Sequence, residues 1–421
     1  MNVLLIGGGG REHALAWKIS QSPLLKKFYA IPGSPGIADF AECVADISIN
    51  DNAAVVAFAK EHAIDLVVVG PEAPLVNGLV DALADVGIKA FGPTSDAAQI
   101  EGSKIFAKRL MKRHAIPTAA FEVFDNADAA KNFIRAHGAP VVVKADGLAA
   151  GKGVIVAQTV DEALAAVDEM KTFGAAGNSI VVEDFMDGEE ASVLALTDGE
   201  TIIPLIAAQD HKRALDGDRG LNTGGMGAYA PAPVVDEKIS ALVTEQILEP
   251  TIAALKSEGI TYRGCLYAGL MIVEGQPKVV EFNCRFGDPE TQAVLPLMES
   301  DLLELMADCA GGTLRGKKIS WREGSAVCVI LASGGYPKAY KKNLPIDGVS
   351  KAKALGALVF HAGTKLRGCE LLTDGGRVLG CAATAPTLRE AVDKVYRAAD
   401  VIHFDGMHMR RDIAAKAFAR A

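Results

Sequence analysis

Short apolar runs recur through the first part of the chain. The runs that predict β-strands lie at 2–6, 28–31, 65–69 and 88–91. Stretches with helical character lie between them, at 12–20, 51–61 and 75–86. Strands that alternate with helices form a parallel sheet with helices on both faces. The pattern therefore predicts an α/β unit over residues 1–102.

A different pattern begins at residue 103. A helix is predicted over 103–114, and a small α+β module follows over about 118–189. Its strands and helix are predicted at 141–144, 154–157, 161–171 and 180–183. Strands dominate from 190 to about 313, and the remaining residues, 314–421, contain a strand at 325–332 and a helix at 387–400. We therefore expect three units, 1–102, 103–313 and 314–421.

The first strand ends in the glycine run Gly7–Gly10, which leads into a helix. Glycines let the backbone approach a phosphate, and a helix N-terminus offers free N–H groups. Arg11 could add a bidentate contact. The fingerprint G-x-G-x-x-G is not met, because Glu12 occupies the place of its third glycine. The run disfavours a nicotinamide dehydrogenase and leaves two interpretations, a phosphate site or a turn that serves packing alone.

A second glycine-rich loop, 144–153, differs from a P-loop. Gly147 and Gly151 are separated by three residues instead of four, and Lys152 is followed by Gly153 instead of Ser or Thr. The loop also joins two predicted strands. A flap that folds over phosphates, with Lys144 pointing into the same space, fits this pattern better. The alternative is an ordinary hairpin without a ligand.

Polar residues alternate along the stretch Glu281–Arg285. Alternate residues of a strand share a face, so Glu281, Asn283 and Arg285 are predicted to line one side. Val280, Phe282 and Cys284 are predicted to pack on the other. Carboxylate and amide oxygens suit Mg²⁺ that bridges nucleotide phosphates. The alternative is a surface strand with solvated polar side chains.

Charge and composition narrow the class of protein. The formal net charge is −9 at pH 7 and no dense Lys/Arg tract occurs, which argues against nucleic-acid binding. No apolar run reaches the roughly 20 residues of a membrane span. The N-terminal apolar run lacks the basic flank of a signal peptide, so we expect a cytoplasmic protein. The seven cysteines include no C-x-x-C pair and are interpreted as free thiols.

Several of these runs, in this order, resemble those of the glycinamide ribonucleotide synthetases, a family of ATP-grasp ligases. The matching runs are 9–14 (GGREHA), 69–75, 101–104, 144–153, 188–192, 209–213, 222–229, 266–271 and 281–290. The resemblance implies a fold of α/β and α+β units: an N-terminal parallel-sheet domain, an ATP-grasp core and a C-terminal α+β domain. Within the core it implies a mobile lid at about 118–189 and a catalytic module at about 190–313.

The resemblance also implies a reaction. Glycine and 5-phosphoribosylamine would be joined at the expense of ATP, through glycyl phosphate, to give glycinamide ribonucleotide, ADP and phosphate in purine biosynthesis. Mg²⁺ or Mn²⁺ would assist, and the chain would act as a monomer. Another ATP-grasp carboxylate–amine ligase of nucleotide metabolism is the alternative, and a nucleotide-binding module without catalysis is a third hypothesis.

Site residues are carried over by position. ATP would contact Lys104, Lys144, Gly151, Lys152, Gly153, Glu183, Asp184, Phe185 and Glu190. The metal would bind Glu281 and Asn283, and Arg285, Lys212 and Asp210 would serve catalysis. Glycine and phosphoribosylamine would contact Gly9, Gly10, Arg11, Glu12, Pro32, Gly33, Pro71, Asn222, Thr223, Gly224, Gly225, Asp288 and Glu290.

Three positions depart from the family pattern. Gly8 stands where Asn or Ser is common, and Leu221 replaces the usual Pro. The strand at 266–272 carries no acidic residue, which leaves the site of a second metal open.

Overall fold

The structure, a computed structural model, describes residues 1–147, 153–172, 177 and 179–420. Its N-terminal unit is built from the elements β1 (Asn2–Gly7), α1 (Gly10–Ile19), β2 (Lys27–Pro32), β3 (Glu42–Cys43), α2 (Asn52–Glu61), β4 (Leu66–Val69), α3 (Glu72–Val76), α4 (Leu79–Ala84), β5 (Lys89–Phe91) and α5 (Ser95–Gly102). The strands form one parallel sheet in the order β3-β2-β1-β4-β5. The predicted α/β unit is confirmed.

Both faces of this sheet are buried. Leu4 and Ile6 of β1 lie in one apolar core, and Val3 and Leu5 lie in another. The single helix predicted at 75–86 is wrong. Two short helices, α3 and α4, meet there instead, because Gly78 takes a left-handed backbone (φ +79°) that interrupts the helical path.

The second unit begins with a helix and continues as a small antiparallel sheet. Its elements are α6 (Lys104–Arg113), β6 (Phe121–Phe124), α7 (Ala127–His137), β7 (Val141–Ala145), β8 (Val154–Ala157), α8 (Val160–Met170) and β9 (Ile180–Asp184). The strand order is β6-β9-β7-β8. The sheet and helices α7 and α8 enclose a core of their own, and that core shares no residue with the other cores. This separate core is what a lid module requires in order to move as one body.

The central unit follows. Its elements are β10 (Glu189–Thr197), β11 (Ile202–Pro204), β12 (Gln209–Asp210), β13 (Arg213–Leu215), β14 (Arg219–Asn222), β15 (Gly227–Ala230), α9 (Glu237–Val243), α10 (Glu249–Ser257), β16 (Gly264–Val273), β17 (Gln276–Asn283), α11 (Glu290–Val294) and α12 (Leu302–Gly311). Strands β11-β10-β16-β17 form its antiparallel sheet. Apolar residues of this sheet join the two cores of the N-terminal unit, so the two units pack as one body.

A bulge in β17 corrects one prediction. Gly269 pairs with Glu281 while Leu270 pairs with Val279, which leaves Val280 unpaired between them. Phe282 and Cys284 lie in the core as predicted, but Val280 does not. Val279 takes its place there, because the extra residue shifts the alternation by one position.

The C-terminal unit contains β18 (Ser325–Ala332), α13 (Val349–Ala354), β19 (Leu358–His361), β20 (Thr364–Arg367), β21 (Glu370–Thr373), β22 (Arg377–Ala385), α14 (Leu388–Ala399) and α15 (Ala415–Phe418). Its main sheet has the order β12-β15-β18-β22-β19. Two strands of the central unit thus form one edge of the C-terminal sheet. Across the described part of the chain, no helix combines the length and apolar character needed to cross a membrane.

Two histidines meet where the N-terminal and C-terminal units pack together. The backbone N–H of His361 donates a hydrogen bond to Nδ1 of His13 at 2.7 Å, so this nitrogen carries no proton. Burial lowers the pKa of His13 to about 3 and that of His361 to about 4, from an ordinary value of 6.5. Both side chains are therefore neutral in the folded protein near neutral pH.

These two histidines should make folding sensitive to acid. Their pKa values are lower in the folded chain than in the unfolded chain, so their contribution is complete above pH 6.5 and is lost as the pH falls toward 4. We expect His13→Asn, which keeps an acceptor near Nδ1, to reduce the loss of unfolding free energy between pH 7.5 and 5.5 by about 1.4 kcal/mol. Urea unfolding at both pH values measures this difference. The exposed His403, changed to Asn, is the control, and an unaltered pH dependence in His13→Asn would contradict the expectation.

Candidate functional site

The predicted metal-binding face lies at the end of β17. Glu281 and Asn283 alternate along this strand. Gly269 pairs opposite Glu281, and a side chain there would come within 3.4 Å of the Glu281 Cγ atom. Among the residues that the structure describes, neither polar side chain takes part in a hydrogen bond with another residue. Two hard oxygen donors are thus left available on one face.

Arg285 lies just beyond this strand and is held by the N-terminal unit. Its Nη2 atom lies 2.9 Å from Oε1 of Glu101, and its Nε atom lies 3.3 Å from Oε2 of Glu72. The other Glu101 oxygen accepts the backbone N–H of Cys284 at 2.7 Å. Burial lowers the pKa of the guanidinium, but Glu101 and Glu72 outweigh it and the net shift is upward. Arg285 is therefore a fixed, permanent cation.

Three lysines surround the carboxylate of Glu281. Burial raises the pKa of Glu281, but the charges of Lys212, Lys144 and Lys104 outweigh it and hold the pKa below its ordinary value. Lys144 is 3% exposed and donates a hydrogen bond to the carbonyl of Val280 at 3.2 Å. Lys104 donates to the carbonyl of Gly147 at 3.0 Å. The structure therefore brings Lys104 and Lys144, which are predicted to contact ATP, close to the predicted metal ligand Glu281.

Asp210 ends β12 and Lys212 follows two residues later, close enough for their charges to interact. The Nζ atom of Lys212 lies 3.5 Å from Oε2 of Glu190, and this carboxylate is the main reason that the pKa of Lys212 is raised well above its ordinary value. Burial raises the pKa of Asp210 to about 7, and Glu290 adds to the shift while Lys212 opposes it. Asp210 can therefore exchange a proton near neutral pH.

A buried hydrogen-bond network holds Glu290. Its Oε1 atom accepts from Tyr267 Oη at 2.7 Å and from Ser192 Oγ at 3.2 Å. The two hydroxyl groups also lie 2.8 Å apart. Gly287 has to remain without a side chain here, because a Cβ atom would lie 2.5 Å from Oε2 of Glu290. Glu290 is thus fixed in orientation beside Asp210 and Lys212.

A cleft of about 610 Å³ lies between the second and central units. The lining residues include Asp184 and Phe185 at the end of β9, together with Ala119, Val273 and Lys278. The cleft is open enough for a nucleobase, and Phe185, which is 37% exposed, can cover one of its sides. Two of the residues predicted to contact ATP, Asp184 and Phe185, therefore line it.

Glu183 lies deeper than its neighbours. Its side chain forms ion pairs with Lys108 and Lys144, each at 2.8 Å, and all three side chains are at most 4% exposed. Gly153 follows the loop between β7 and β8, and its carbonyl accepts from the backbone of Ala145 at 2.9 Å. The predicted contacts at Gly151 and Lys152 lie outside the described residues.

The side chain of Glu12 fills the space beside the first glycine run. The carboxylate accepts the backbone N–H of Gly9 at 2.7 Å and contacts Arg11 Nε at 2.5 Å. It lies so close to Gly7 and Gly70 that a side chain at either position would collide with it. The Arg11 guanidinium donates to the carbonyl of Phe286 at 3.2 Å. Both charged side chains thus organise the turn, and direct substrate contacts from them stay a prediction.

The remaining N-terminal positions lie at the carboxyl ends of parallel strands. Pro32 ends β2 and is followed by Gly33, while Pro71 precedes α3 after β4. Gly10 opens α1 close to Asp288. Carboxyl ends of parallel strands form the edge at which such sheets bind ligands. These residues therefore line one edge of the sheet, facing the central unit.

The turn of Asn222–Gly225 is held by the backbone of Lys212 and by the side chain of Arg377. Thr223 Oγ1 donates to the carbonyl of Lys212 at 2.8 Å. Arg377, from the C-terminal unit, donates to the carbonyls of Gly224 and Asp288, each at 2.7 Å. Its guanidinium also lies 3.3 Å from Oδ1 of Asp288, whose Oδ2 accepts the backbone N–H of Arg11. Asp288 therefore lies where the N-terminal, central and C-terminal units meet.

Sequence reasoning missed several members of the site. The positions concerned are Glu72, Glu101, Lys108, Tyr267 and Arg377. Glu72 and Glu101 stand inside runs that carried the family resemblance, so motif membership was a usable signal. Arg377 lies 89 residues from Asp288, and no local pattern marks such a partner. Within the described residues, no three His, Cys, Asp or Glu side chains converge in a metal-binding arrangement.

The chemical capacity of the arrangement follows from its charges. The site combines a cleft that can accept a base, a group of lysines, a fixed arginine, a carboxyl group with a pKa of about 7, and two oxygen donors that no described residue engages. Such a set can bind a nucleoside polyphosphate, neutralise a carboxylate and accept a proton.

Comparison with known proteins gives a consistent result. Sequence models of phosphoribosylglycinamide synthetase match the N domain at residues 1–101, the ATP-grasp (A) domain at 102–291 and the C domain at 326–416. The phosphoribosylamine–glycine ligase of Agrobacterium fabrum is 53% identical over 422 residues, covering 100% of this chain and 99% of that protein. The ligase of Yersinia pestis is 51% identical and covers 100% of both chains.

Solved structures show the same likeness. The phosphoribosylamine–glycine ligase of Thermotoga maritima superposes with a TM-score of 0.85 at 32% identity, covering 98% of this chain and 100% of that one. The N5-carboxyaminoimidazole ribonucleotide synthetase of Thermus thermophilus has a TM-score of 0.65 at 20% identity, covering 95% and 98%. This second likeness concerns the fold alone.

Arg377 offers a test of how the units cooperate. We expect Arg377→Met to release the 222–225 turn, and amide hydrogen exchange over residues 222–226 should accelerate roughly tenfold or more, since lost hydrogen bonds to a charged group cost about 1.5–3 kcal/mol. Arg367→Met is the matched control, because Arg367 is an exposed arginine of the same unit and pairs with the neighbouring Glu370. Equal exchange in wild type and Arg377→Met would show that the turn does not depend on this arginine.

Proposed function

The chain belongs to the phosphoribosylamine–glycine ligase family, and from this membership we propose how its residues divide the reaction. The activity is the ATP-dependent ligation of glycine to 5-phosphoribosylamine, a step of purine biosynthesis. The observation that best supports the assignment of roles is the convergence of Glu281, Asn283, Arg285 and the three lysines at one junction.

The reaction has to overcome the poor reactivity of a carboxylate. Glycine cannot acylate an amine unless one of its carboxylate oxygens becomes a leaving group. We propose that this oxygen attacks the γ-phosphorus of ATP, so that ADP leaves and glycyl phosphate forms. The amine of phosphoribosylamine then attacks the acyl carbon and phosphate leaves. Because charge builds up on oxygen in both steps, fixed cations and alignment do most of the work.

ATP is proposed to lie between the second and central units. Its base would occupy the cleft beside Asp184 and Phe185, and its ribose hydroxyls would reach Glu190. Its phosphates would contact Lys104 and Lys144, with the 144–153 loop, including Gly151, Lys152 and Gly153, folding over them. The separate core of the second unit supports a role as a lid that excludes water from the acyl phosphate.

Mg²⁺ or Mn²⁺ is proposed to bind Glu281 and Asn283. The residues fit this role, because both are hard oxygen donors on one face and neither is engaged by another described residue. Phosphate oxygens would have to complete the coordination. When bound, the ion would neutralise charge on the transferred phosphoryl group.

Arg285 is proposed to hold the glycine carboxylate and the acyl phosphate that replaces it. Glu72 and Glu101 fix the guanidinium, so it need not reorganise when charge develops. Lys212 would neutralise the phosphate that leaves. The amine nucleophile must lose a proton as the amide forms, and Asp210, with a pKa of about 7, is suited to accept it.

Phosphoribosylamine is proposed to occupy the edge of the N-terminal sheet. Gly9, Gly10, Arg11, Glu12, Pro32, Gly33 and Pro71 would lie on one side of it, and Asn222–Gly225, Asp288 and Glu290 on the other. We also propose that the chain acts as a monomer in the cytoplasm, without nucleic acid or membrane as partner. The unit boundaries 1–102, 103–313 and 314–421 stay part of this proposal.

Substrate selection separates this proposal from another ATP-grasp ligase. With MgATP and phosphoribosylamine, we expect glycine to give ADP release at least about tenfold above alanine, since an added methyl group changes pocket discrimination by roughly 10- to 200-fold. A coupled ADP assay across amino acids and amine acceptors measures this. ADP release that depends on a different carboxylate, or that ignores the acceptor, would favour the alternative.

Glu281 tests the proposed metal site. We expect Glu281→Gln to lower kcat roughly 100-fold or more and to raise the Mg²⁺ concentration for half-maximal rate, because an essential charged ligand is lost. Glu281→Gln also removes a negative charge from among Lys104, Lys144 and Lys212, so thermal unfolding is recorded as well and the rates are compared below the unfolding temperature. Glu245→Gln, at an exposed position, is the control. Wild-type turnover in Glu281→Gln would remove the metal from this site.

A further inference from the structure

A single buried carboxylate, that of Glu183, forms ion pairs with two lysines at the proposed nucleotide site. Glu183 Oε1 lies 2.8 Å from Lys144 Nζ, and Glu183 Oε2 lies 2.8 Å from Lys108 Nζ. The three side chains are only 2–4% exposed. These three groups alone carry a formal charge of about +1 when all are ionised, and the carboxylate of Glu281 lies on the side of Lys144. Removing a charge from water is costly, so the presence of a second buried lysine on this carboxylate calls for an explanation.

Lys108 is fixed independently of any ligand. It lies one turn after Lys104 on α6, and its Nζ donates to Thr118 Oγ1 at 2.7 Å. Thr118 Oγ1 in turn donates to the carbonyl of Val279 at 2.7 Å. These hydrogen bonds link α6, through Thr118, to β17 of the central unit. Lys108 therefore faces Glu183 and the body of the protein, and it does not point into the cleft.

Lys144 is placed differently. Its ammonium group contacts Glu183 and the carbonyl of Val280, which precedes the metal-binding position Glu281. No third described residue accepts from it, so one N–H remains for a ligand. A carboxylate that contacted Lys144 alone would cancel its charge. Since Lys108 shares that carboxylate, part of the positive charge of Lys144 remains directed at the site.

We propose that Lys108 is a positioning residue that neutralises Glu183 and so leaves the charge of Lys144 available for the phosphates of ATP. Glu183 then orients Lys144 without quenching it. This inference rests on the proposed contact between Lys144 and ATP phosphates. It assigns to Lys108 a contribution to phosphate affinity although the residue does not touch the nucleotide.

The competing explanation is that Lys108 only supports the shape of the adenine cleft through Thr118 and Glu183. The two roles differ in what they do to ligands without phosphates. Loss of shape would weaken adenosine and ATP together. Loss of the charge balance would weaken ATP and ADP while adenosine is spared, because adenosine carries no phosphate to attract.

The experiment compares dissociation constants of MgATP, ADP and adenosine by calorimetry. For Lys108→Met, which keeps the apolar stem, we expect MgATP and ADP to bind at least tenfold more weakly while adenosine changes less than twofold. Lys112 is an exposed lysine of the same helix and lies over the Phe121 ring. Lys112→Met is therefore the control and should change none of the three dissociation constants. An equal loss for all three ligands, or no loss for ATP, overturns the proposal.

Two further variants test the charge balance at Glu183 and the proposed role of Lys144 separately. In the double variant Lys108→Met with Glu183→Gln, the quenching carboxylate is gone, so the ratio of ATP to adenosine affinity should recover relative to Lys108→Met alone. A ratio as low as that of the single variant overturns the proposal. Lys144→Met tests the underlying function: unchanged ATP binding there removes Lys144 from the phosphates. A loss in Lys144→Met without one in Lys108→Met refutes only the inference about Lys108.

Discussion

The ion pairs of Arg285 with Glu72 and Glu101 are the interaction on which the site depends. The Arg285 side chain is 17% exposed and therefore largely withdrawn from water, so the arginine that follows β17 relies on carboxylates that the N-terminal unit supplies. Glu101 also accepts the backbone N–H of Cys284 and thus fixes the chain direction after β17. Assembly of two units and placement of the reactive cation are therefore one event.

Local pattern predicted much of this fold. The strands and helices of the N-terminal unit follow from apolar runs and glycine turns, and the alternation of Glu281 with Asn283 follows from the period of a strand. The errors have local causes that periodicity does not contain. Gly78 breaks a helix through its backbone conformation, and a bulge at Val280 moves Val279 into the core. Both depend on how one residue fits its neighbours in three dimensions.

The site was less predictable, because its partners lie far apart in sequence. Arg285 lies 213 residues from Glu72, and Lys144 lies 136 residues from Val280. Only family resemblance indicated that such positions converge, and it did so for residues inside matching runs. Arg377 lies in no such run. Its role depends on the C-terminal sheet, in which β12 and β15 of the central unit form one edge. No local pattern indicates that these two strands pair with the sheet of another unit.

The cations of the site differ in how firmly the protein holds them, and this difference suits their roles. Arg285 has two partly buried carboxylates within 3.3 Å, so a ligand is added to a complete arrangement. Lys212 pairs with Glu190 at 3.5 Å, and both side chains are partly exposed, so a phosphate can reach this lysine. A group that stabilises developing charge has to be fixed beforehand. A group that follows a departing phosphate has to change partners, and a partly exposed ion pair leaves room for that change.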